Sequence, residues 1–586
     1  MNILRIISST RAIVIAMLAA LALPAGAEQV TITVDSVGQL AKLLPDSIRY
    51  NYSDLKICGP LSGSDVRTVQ LIAQQLKPRR PEAQLLRRLD LSEAVIVEGK
   101  GSFHTRNNVL PVGMFFNCKA LEYVVLPNTM TEVSKSCFNG CISLKEAVLP
   151  EGLTVIDDNA FVGCTSLVEA KLPSTLECIG DHSFDGCTAL KEIYVPAQVN
   201  RIDNYAFNNC TALERVTLEC SVNRVPNSCF NGCASLRSIV LPKSVTVIGS
   251  DAFKGCTSLT AIELPDALNE IGNNAFEACS NLRSLEANRV IRIGSNAFRG
   301  CINLATVEIE NTNTIGNSAF AGCSGLAAVT IDGNVNAIGS ETFIDCTTLT
   351  SCILPATVKV IGKRAFLECK SLAAFELPQA LTRIEDYAFQ GCTSLTDVTI
   401  PNLVKQIGVS AFENCTSLDS VTIQGFVDKI DNNTFRYCHS LRYISMPVSV
   451  KAINDNAFEE CSLLSDITLP ISIISIGDNA FEKCVSLKSL VVPAACRSIG
   501  SASFRECSAL TRLELPAALK KIGGNAFAKC VSLTELVCGS PLPPSIAHST
   551  FKGVVVNACR IIVPRGAKNN YRNDKSWAKM PQILEQ

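Results

Sequence analysis

One period governs this chain. A phenylalanine, usually preceded by alanine, is followed by cysteine three positions on and leucine six positions on. Ala160-Phe161-Val162-Gly163-Cys164-Thr165-Ser166-Leu167 is a full copy. The phenylalanine recurs twenty times from Phe115 to Phe551, in steps of 23 except for two of 22 around Phe298 and a final 24. A chain of 586 residues would ordinarily divide into several domains. A short fixed period overrides that expectation, because each repeat buries its apolar face only against its neighbours in a stack.

One repeat can be built from its residues. In Leu190-Lys191-Glu192-Ile193-Tyr194-Val195-Pro196 the leucine, isoleucine and valine alternate with variable partners. That is a short strand with one buried face. Proline cannot donate to a ladder and ends it. A return run follows, such as Val199 to Asp203, and in many repeats it reads Ile-Gly, as at Ile248-Gly249 and Ile271-Gly272. Those glycines are expected to let the backbone turn without a Cβ penalty. The two 22-residue steps coincide with lost prolines after Leu285 and Val307, so the return run should shorten there.

Cysteine is abundant, at 28 residues, which by count suggests a disulfide framework. Nineteen of them, Cys118 to Cys530, follow the repeat phenylalanine by three residues. Equivalent side chains in a stack point the same way about 4.8 Å apart. A disulfide needs Cβ atoms near 3.8 Å with vectors that converge. The expectation is a buried column of free thiols acting as small hydrophobes, with the nine off-column cysteines the better candidates for bridges. No paired Cys-x-x-Cys occurs, so no zinc site is expected.

The ends differ from the middle. Residues 1–27 read as a signal peptide: Arg5 and Arg11, a short apolar run from Ala12 to Leu23, and Ala25-Gly26-Ala27 before Glu28. The run is too short to span a bilayer comfortably, and no transmembrane segment is expected after cleavage. Residues 28–104 lack the phrase. They read as strand (Val30–Val34), helix-like run (Ser36–Leu44), strand (Leu55–Cys58) and a helix over Val66–Leu76 capped at Ser64-Asp65. Leu86 to Leu91 then follows the spacing of a leucine-rich strand. This segment should cap the stack before the tandem repeats of residues 105–545. Residues 546–586 should cap the other end, with Tyr571 and the single tryptophan, Trp577, over the last apolar layer.

The phrase Ile-Gly-x-x-Ala-Phe-x-x-Cys-x-x-Leu-x-x-Ile-x-Leu-Pro resembles that of the BspA-like leucine-rich repeat family, over roughly residues 105–560. The resemblance implies an α/β-type repeat solenoid of right-handed leucine-rich turns. A parallel β-sheet would line its concave face, with an irregular or 3-10 convex side. It also implies a secreted or cell-surface protein that adheres to host or cell-surface macromolecules, extracellular-matrix proteins among them.

The residues exclude more than they select. Net charge is −1, with Lys+Arg 53 against Asp+Glu 54, so a nucleic-acid partner has no electrostatic footprint. The four histidines, His104, His182, His439 and His548, fall in separate parts of the chain. No nucleophile–base couple, metal site or cofactor loop is expected, and the chain reads as non-enzymatic. Binding through outward strand positions remains. There Tyr123 and Tyr194 are candidate aromatic anchors. Glu263, Glu286 and Glu308 form a candidate acidic column whose like charges repel. The alternative is a structural envelope component without a specific ligand.

Overall fold

The computed structural model describes residues 5–6, 29–75, 83–100 and 103–586. The expected signal peptide lies outside the described residues but for Arg5 and Ile6. The chain falls into two compact units, Met1–Arg283 and Ser284–Gln586. Both are parallel-sheet solenoids with little helix.

Most turns carry three layers of main-chain hydrogen bonds. The first is the expected strand ladder. In the first unit Glu192–Val195, Arg215–Leu218 and Ser238–Ile239 pair in parallel, with Ile193, Val216 and Ile239 in register and buried. The second was not anticipated. The return run is itself a ladder of two-residue strands: Glu132–Val133, Val155–Ile156, Cys178–Ile179 and Arg201–Ile202 pair in order, with an apolar residue of each turned inward.

The third layer is the phrase. It is a run of turns, and the one 3-10 helix among the described residues is Trp577–Lys579, far from any repeat. Left-handed backbone recurs two residues before and two residues after each repeat phenylalanine from Phe115 to Phe527, for example Ser136 (φ 56°) and Gly140 (φ 78°) around Phe138. This alternation aims every second N–H at the next turn: Ser136 to Asp158 O (2.9 Å), Phe138 to Ala160 O (2.7 Å) and Gly140 to Val162 O (2.8 Å). The intervening N–H groups close turns within the repeat, such as Cys141 N to Phe138 O at 3.1 Å. The backbone is thereby satisfied without a regular helix or strand.

Phenylalanine rings stack inside this layer. In the first unit Phe115 and Phe138 lie 5.0 Å apart at 12°; in the second, Phe389 and Phe412 lie 5.3 Å apart at 1°. Every cysteine is a free thiol, and the phrase cysteines are fully buried. They also do more than fill space. Cys141 Sγ–H donates to Phe115 O of the preceding turn at 3.0 Å and Cys164 to Phe138 O at 3.2 Å, and the pattern reaches Cys530 and Phe504 at 3.1 Å. The off-column cysteines form no bridges either.

The Ile-Gly glycines have a different reason from the one expected. They lack positive φ. A Cβ on Gly272 would instead lie 2.7 Å from Gly249 C and Ser250 N of the turn before. The requirement is close approach between turns, not an unusual dihedral. The left-handed glycines are those inside the phrase, such as Gly163 and Gly186. Where the prolines are lost, Ser284–Ala287 keeps the usual length but the strands after it run on. Thr306–Thr312 and Ala328–Gly333 pair past the usual stopping point, with a register shift between Ile309 and Thr312.

At the N-terminal side, Val30–Thr33, Asp54–Leu61 and Arg88–Asp90 lead the ladder into Tyr123–Val125. The first helix is shorter than the sequence suggests and the second starts three residues earlier. Leu40–Leu43 is all that forms of the first, and the second is Gly63–Ala73 with Ser62, not Ser64-Asp65, at its N-cap. Asp65 is the third helical residue. Its buried carboxylate accepts N–H bonds from Ser62 (3.1 Å), Gly38 (2.7 Å) and Leu40 (3.0 Å), which fixes both helix starts. The same helix presents two amides to the first turn: Gln70 Nε2 to Gly113 O (3.3 Å) and Gln74 Nε2 to Phe116 O (3.0 Å). At the other end Trp577 and Tyr571 are fully buried, Trp577 edge-on to Phe551 at 5.8 Å. Their polar tips reach Pro544 O (2.8 Å) and Ser540 O (2.9 Å).

Two measurements follow from this core. Phe412→Ala leaves a gap between two stacked rings and should cost about 3–5 kcal/mol in denaturant unfolding. The loss of amide protection should centre on the adjoining turns, since repeats touch only neighbours. The second concerns pH. Burial raises the thiols well above the ordinary cysteine value: Cys496 and Cys559 to about 11, Cys530 and Cys538 to about 12, and phrase members such as Cys187 and Cys369 further. Below about pH 8.5 both states keep their protons. As pH rises above that, only the unfolded chain ionises, so it binds fewer protons and stability falls. Each thiol released contributes a slope of about 1.4 kcal/mol per pH unit. Melting temperature should therefore drop steeply from pH 9 to 11. At pH 8 iodoacetamide should spare the phrase thiols until denaturant is added, after which all 28 cysteines alkylate.

Candidate ligand-binding face

The strand ladder has one side in the core and one side free. Burial alternates along its strands, as in Glu192–Val195, where Ile193 and Val195 are buried and Glu192 and Tyr194 exposed. Recurring backbone presents different side chains from turn to turn, so the face is a grid of variable residues on a repeating lattice. Ion pairs bridge neighbouring turns on it. Lys145 Nζ meets Glu122 Oε2 at 2.7 Å, and Arg560 Nη2 meets Glu535 Oε2 at 2.9 Å, with Arg512 on the other oxygen of Glu535. Such exposed pairs contribute little to stability; their effect is to neutralise parts of the face.

The candidate residues fare differently. Tyr123 is half-buried and already covered, with the Arg88 guanidinium 4.2 Å from its ring centroid. Tyr194 is 48 % exposed and stands opposite Thr217 in register. Its hydroxyl bonds to Glu219, which raises the phenol above its usual range. Glu286 and Glu308 are direct ladder partners, both exposed, in the second unit. Glu263 belongs to the first unit, where it bridges to Val240.

One feature of the face has no counterpart in the sequence reading. In the second unit the ladder stops at Tyr443–Ser445 and restarts at Ser489–Val491, and likewise stops at Ser351–Ile353 and restarts at Asp397–Ile400. Between the last two, Ala374 to Leu377 forms no strand. A groove of about 880 Å³ lies over this break. Phe375 stands where other repeats place the smaller Ile193, Val216 or Val398. Its ring is driven against the phenylalanine column, 5.0 Å from Phe366 at 60° and 5.2 Å from Phe389 at 61°. The sequence signal was this one oversized residue, which hydrophobic patterning alone does not distinguish.

The histidines stay apart. His182 Nδ1 lies 2.8 Å from Asp185 and its ring stacks on Tyr205; His439 Nδ1 meets Glu460 O at 2.9 Å; His548 Nδ1 faces Lys579 Nζ at 3.0 Å. Among the described residues no three His, Cys, Asp or Glu side chains converge on a point that would hold a metal ion. No helix of the described residues is long and apolar enough to cross a membrane.

Stacked parallel turns with a buried leucine, phenylalanine and cysteine each define a leucine-rich repeat solenoid. The family model for the BspA type leucine rich repeat region matches residues 108–237, 223–350, 313–442 and 428–555, so the chain belongs to the BspA-type leucine-rich repeat family. Among solved structures it is similar to a leucine-rich repeat protein from Bacteroides ovatus (22 % identity, 85 % of this chain and 91 % of that chain covered, TM-score 0.28). It is also similar to one from Eubacterium ventriosum (18 %, 63 % and 89 %, TM-score 0.37). A third is a leucine rich cell surface protein from Faecalibacterium prausnitzii (25 %, 59 % and 87 %, TM-score 0.31). No curated protein sequence matches the chain.

Like charges placed directly opposite across a ladder destabilise it, and salt screens the effect. Replacing Glu286 and Glu308 together by glutamine should raise the melting temperature at low ionic strength, with the gain shrinking as salt is added. A melting temperature that does not respond at low salt would show that the two carboxylates are held apart.

Proposed function

We propose that this chain is an exported protein that binds macromolecules of host or cell surfaces through the outward side chains of its strand ladder. The observation that carries the reading is the apolar content of that face. Tyr194 (48 %), Val240 (73 %), Ile353 (59 %), Tyr443 (67 %) and Val491 (61 %) are large side chains at outward ladder positions, left open to solvent. Aromatic and aliphatic anchors on a rigid scaffold are what binding faces concentrate. The scaffold supports many weak contacts along successive turns rather than one pocket. Membership of the BspA-type family and the leader-like residues 1–27 support export.

The test uses purified residues 28–586 against immobilised extracellular-matrix proteins, glycans and whole cells. Saturable binding is expected, weakened by Tyr194→Ala or Val491→Asp with the fold intact by circular dichroism. Absence of saturable binding to every surface would favour an envelope component without a ligand. Expression of the full chain in a diderm host should yield an exported product whose first residue is Glu28; retention of residues 1–27 would overturn the export reading.

A further inference from the structure

The break at Ala374–Leu377 combines two features. First, its backbone is open. Ala373 O still accepts Thr396 N–H at 3.1 Å, but no main-chain hydrogen bond joins Ala374–Leu377 to either neighbouring strand among the described residues. Paired parallel strands satisfy each other turn by turn, so these amides and carbonyls form a short stretch of unused ladder, as do those of Asp466–Leu469. Second, the groove over them has a definite chemistry. Buried Cys352, Phe375 and Leu377 make an apolar floor. Ile353, Glu376, Asp397 and Thr399 stand exposed at its sides. No lysine or arginine lines it. Asp397 meets only the Ser420 hydroxyl at 2.5 Å, and Glu376 has no ion-pair partner among the described residues. Glu122 and Glu535 on the same face are instead neutralised across turns. Small side chains at Ala373 and Ala374 leave the approach clear.

We propose that this groove takes an extended peptide segment bearing lysine or arginine, which would pair its main chain with Ala374–Leu377, seat an apolar side chain on the Phe375 floor and set its cations against Glu376 and Asp397. Adding a strand to an unsatisfied ladder is an established way for sheets to hold peptides: main-chain bonds supply affinity and alternate side chains supply specificity. Phe375 distinguishes this break from the one at Asp466–Leu469, where Ile467 holds the same position, by giving the groove an aromatic floor. The inference rests on the face-binding reading and names one class of partner for it.

The probe is an acetylated, amidated heptapeptide, Lys-Val-Lys-Thr-Lys-Val-Lys, titrated into the purified protein by calorimetry. Saturable one-to-one binding is expected. Replacing its lysines by glutamates, or N-methylating alternate peptide bonds, should weaken binding more than fivefold. So should the variants Glu376→Gln with Asp397→Asn, and separately Ala374→Arg, which fills the approach. All substituted positions are exposed, and unchanged melting temperatures would show that the fold is kept. No saturable binding overturns the proposal, as does less than fivefold weakening in either variant. An N-methylated peptide that binds within fivefold of the parent also overturns it, since a mere polycation contact would explain that result. The screen above separates the two ideas. If Ala374→Arg keeps full binding to cells or matrix while the heptapeptide fails, the groove assignment falls and the face reading stands. If the screen itself is empty, the face reading falls.

Discussion

Each turn hands hydrogen bonds to the next through the residue two before the repeat phenylalanine, the phenylalanine itself and the residue two after it. This exchange, made possible by two left-handed residues per turn, sets the spacing to which everything else conforms. In the second unit Ser410, Phe412 and Asn414 donate to Asn432, Thr434 and Arg436 at 2.9, 2.9 and 2.8 Å, as their counterparts do in the first unit. Ring stacking near 5 Å, thiols within reach of the preceding turn and strands at ladder distance are consequences of that one repeat distance. The glycine clash distances at Gly272 show how tightly it is held.

The choice of cysteine follows from the same geometry. Phe138 O accepts two bonds, the Cys141 N–H at 3.1 Å from its own turn and the Cys164 thiol at 3.2 Å from the next. A carbonyl has two lone pairs, and the second would otherwise face an apolar layer. A thiol is apolar enough to be buried and still a weak donor, so it serves both needs. The cluster is chemically quiet for the reason it is stable: burial keeps the thiols protonated and unreactive.

Much of this was legible in the sequence. Phe161, Cys164 and Leu167 announced a buried column because equivalent residues recur in register, and Trp577 stood out as the single tryptophan beyond the last copy of the phrase. The return ladder was not legible, since two residues such as Arg201–Ile202 are too few for alternation to register. The left-handed positions were hidden because asparagine, histidine, tyrosine and serine all occupy them, at Asn159, His182, Tyr205 and Ser228; the constraint lies in the backbone, and the inter-turn bonds outweigh side-chain preference. On the face, Tyr123 looked free until Arg88 was found across its ring. The groove was silent because Phe375 satisfies the hydrophobic pattern while violating only its volume.

The exchange of hydrogen bonds also has a direction. N–H groups of the phrase point toward the following turn and carbonyls toward the preceding one, so the two ends of such a stack are chemical complements. At the first turn Gln74 supplies the donor that a preceding turn would have given to Phe116 O. A chain cut within its repeats would expose acceptors at one end and donors at the other, a head-to-tail match that does not close on itself. The segments flanking the repeats meet these two ends differently: a helix presents an amide to Phe116 O, and Trp577 lies edge-on to Phe551.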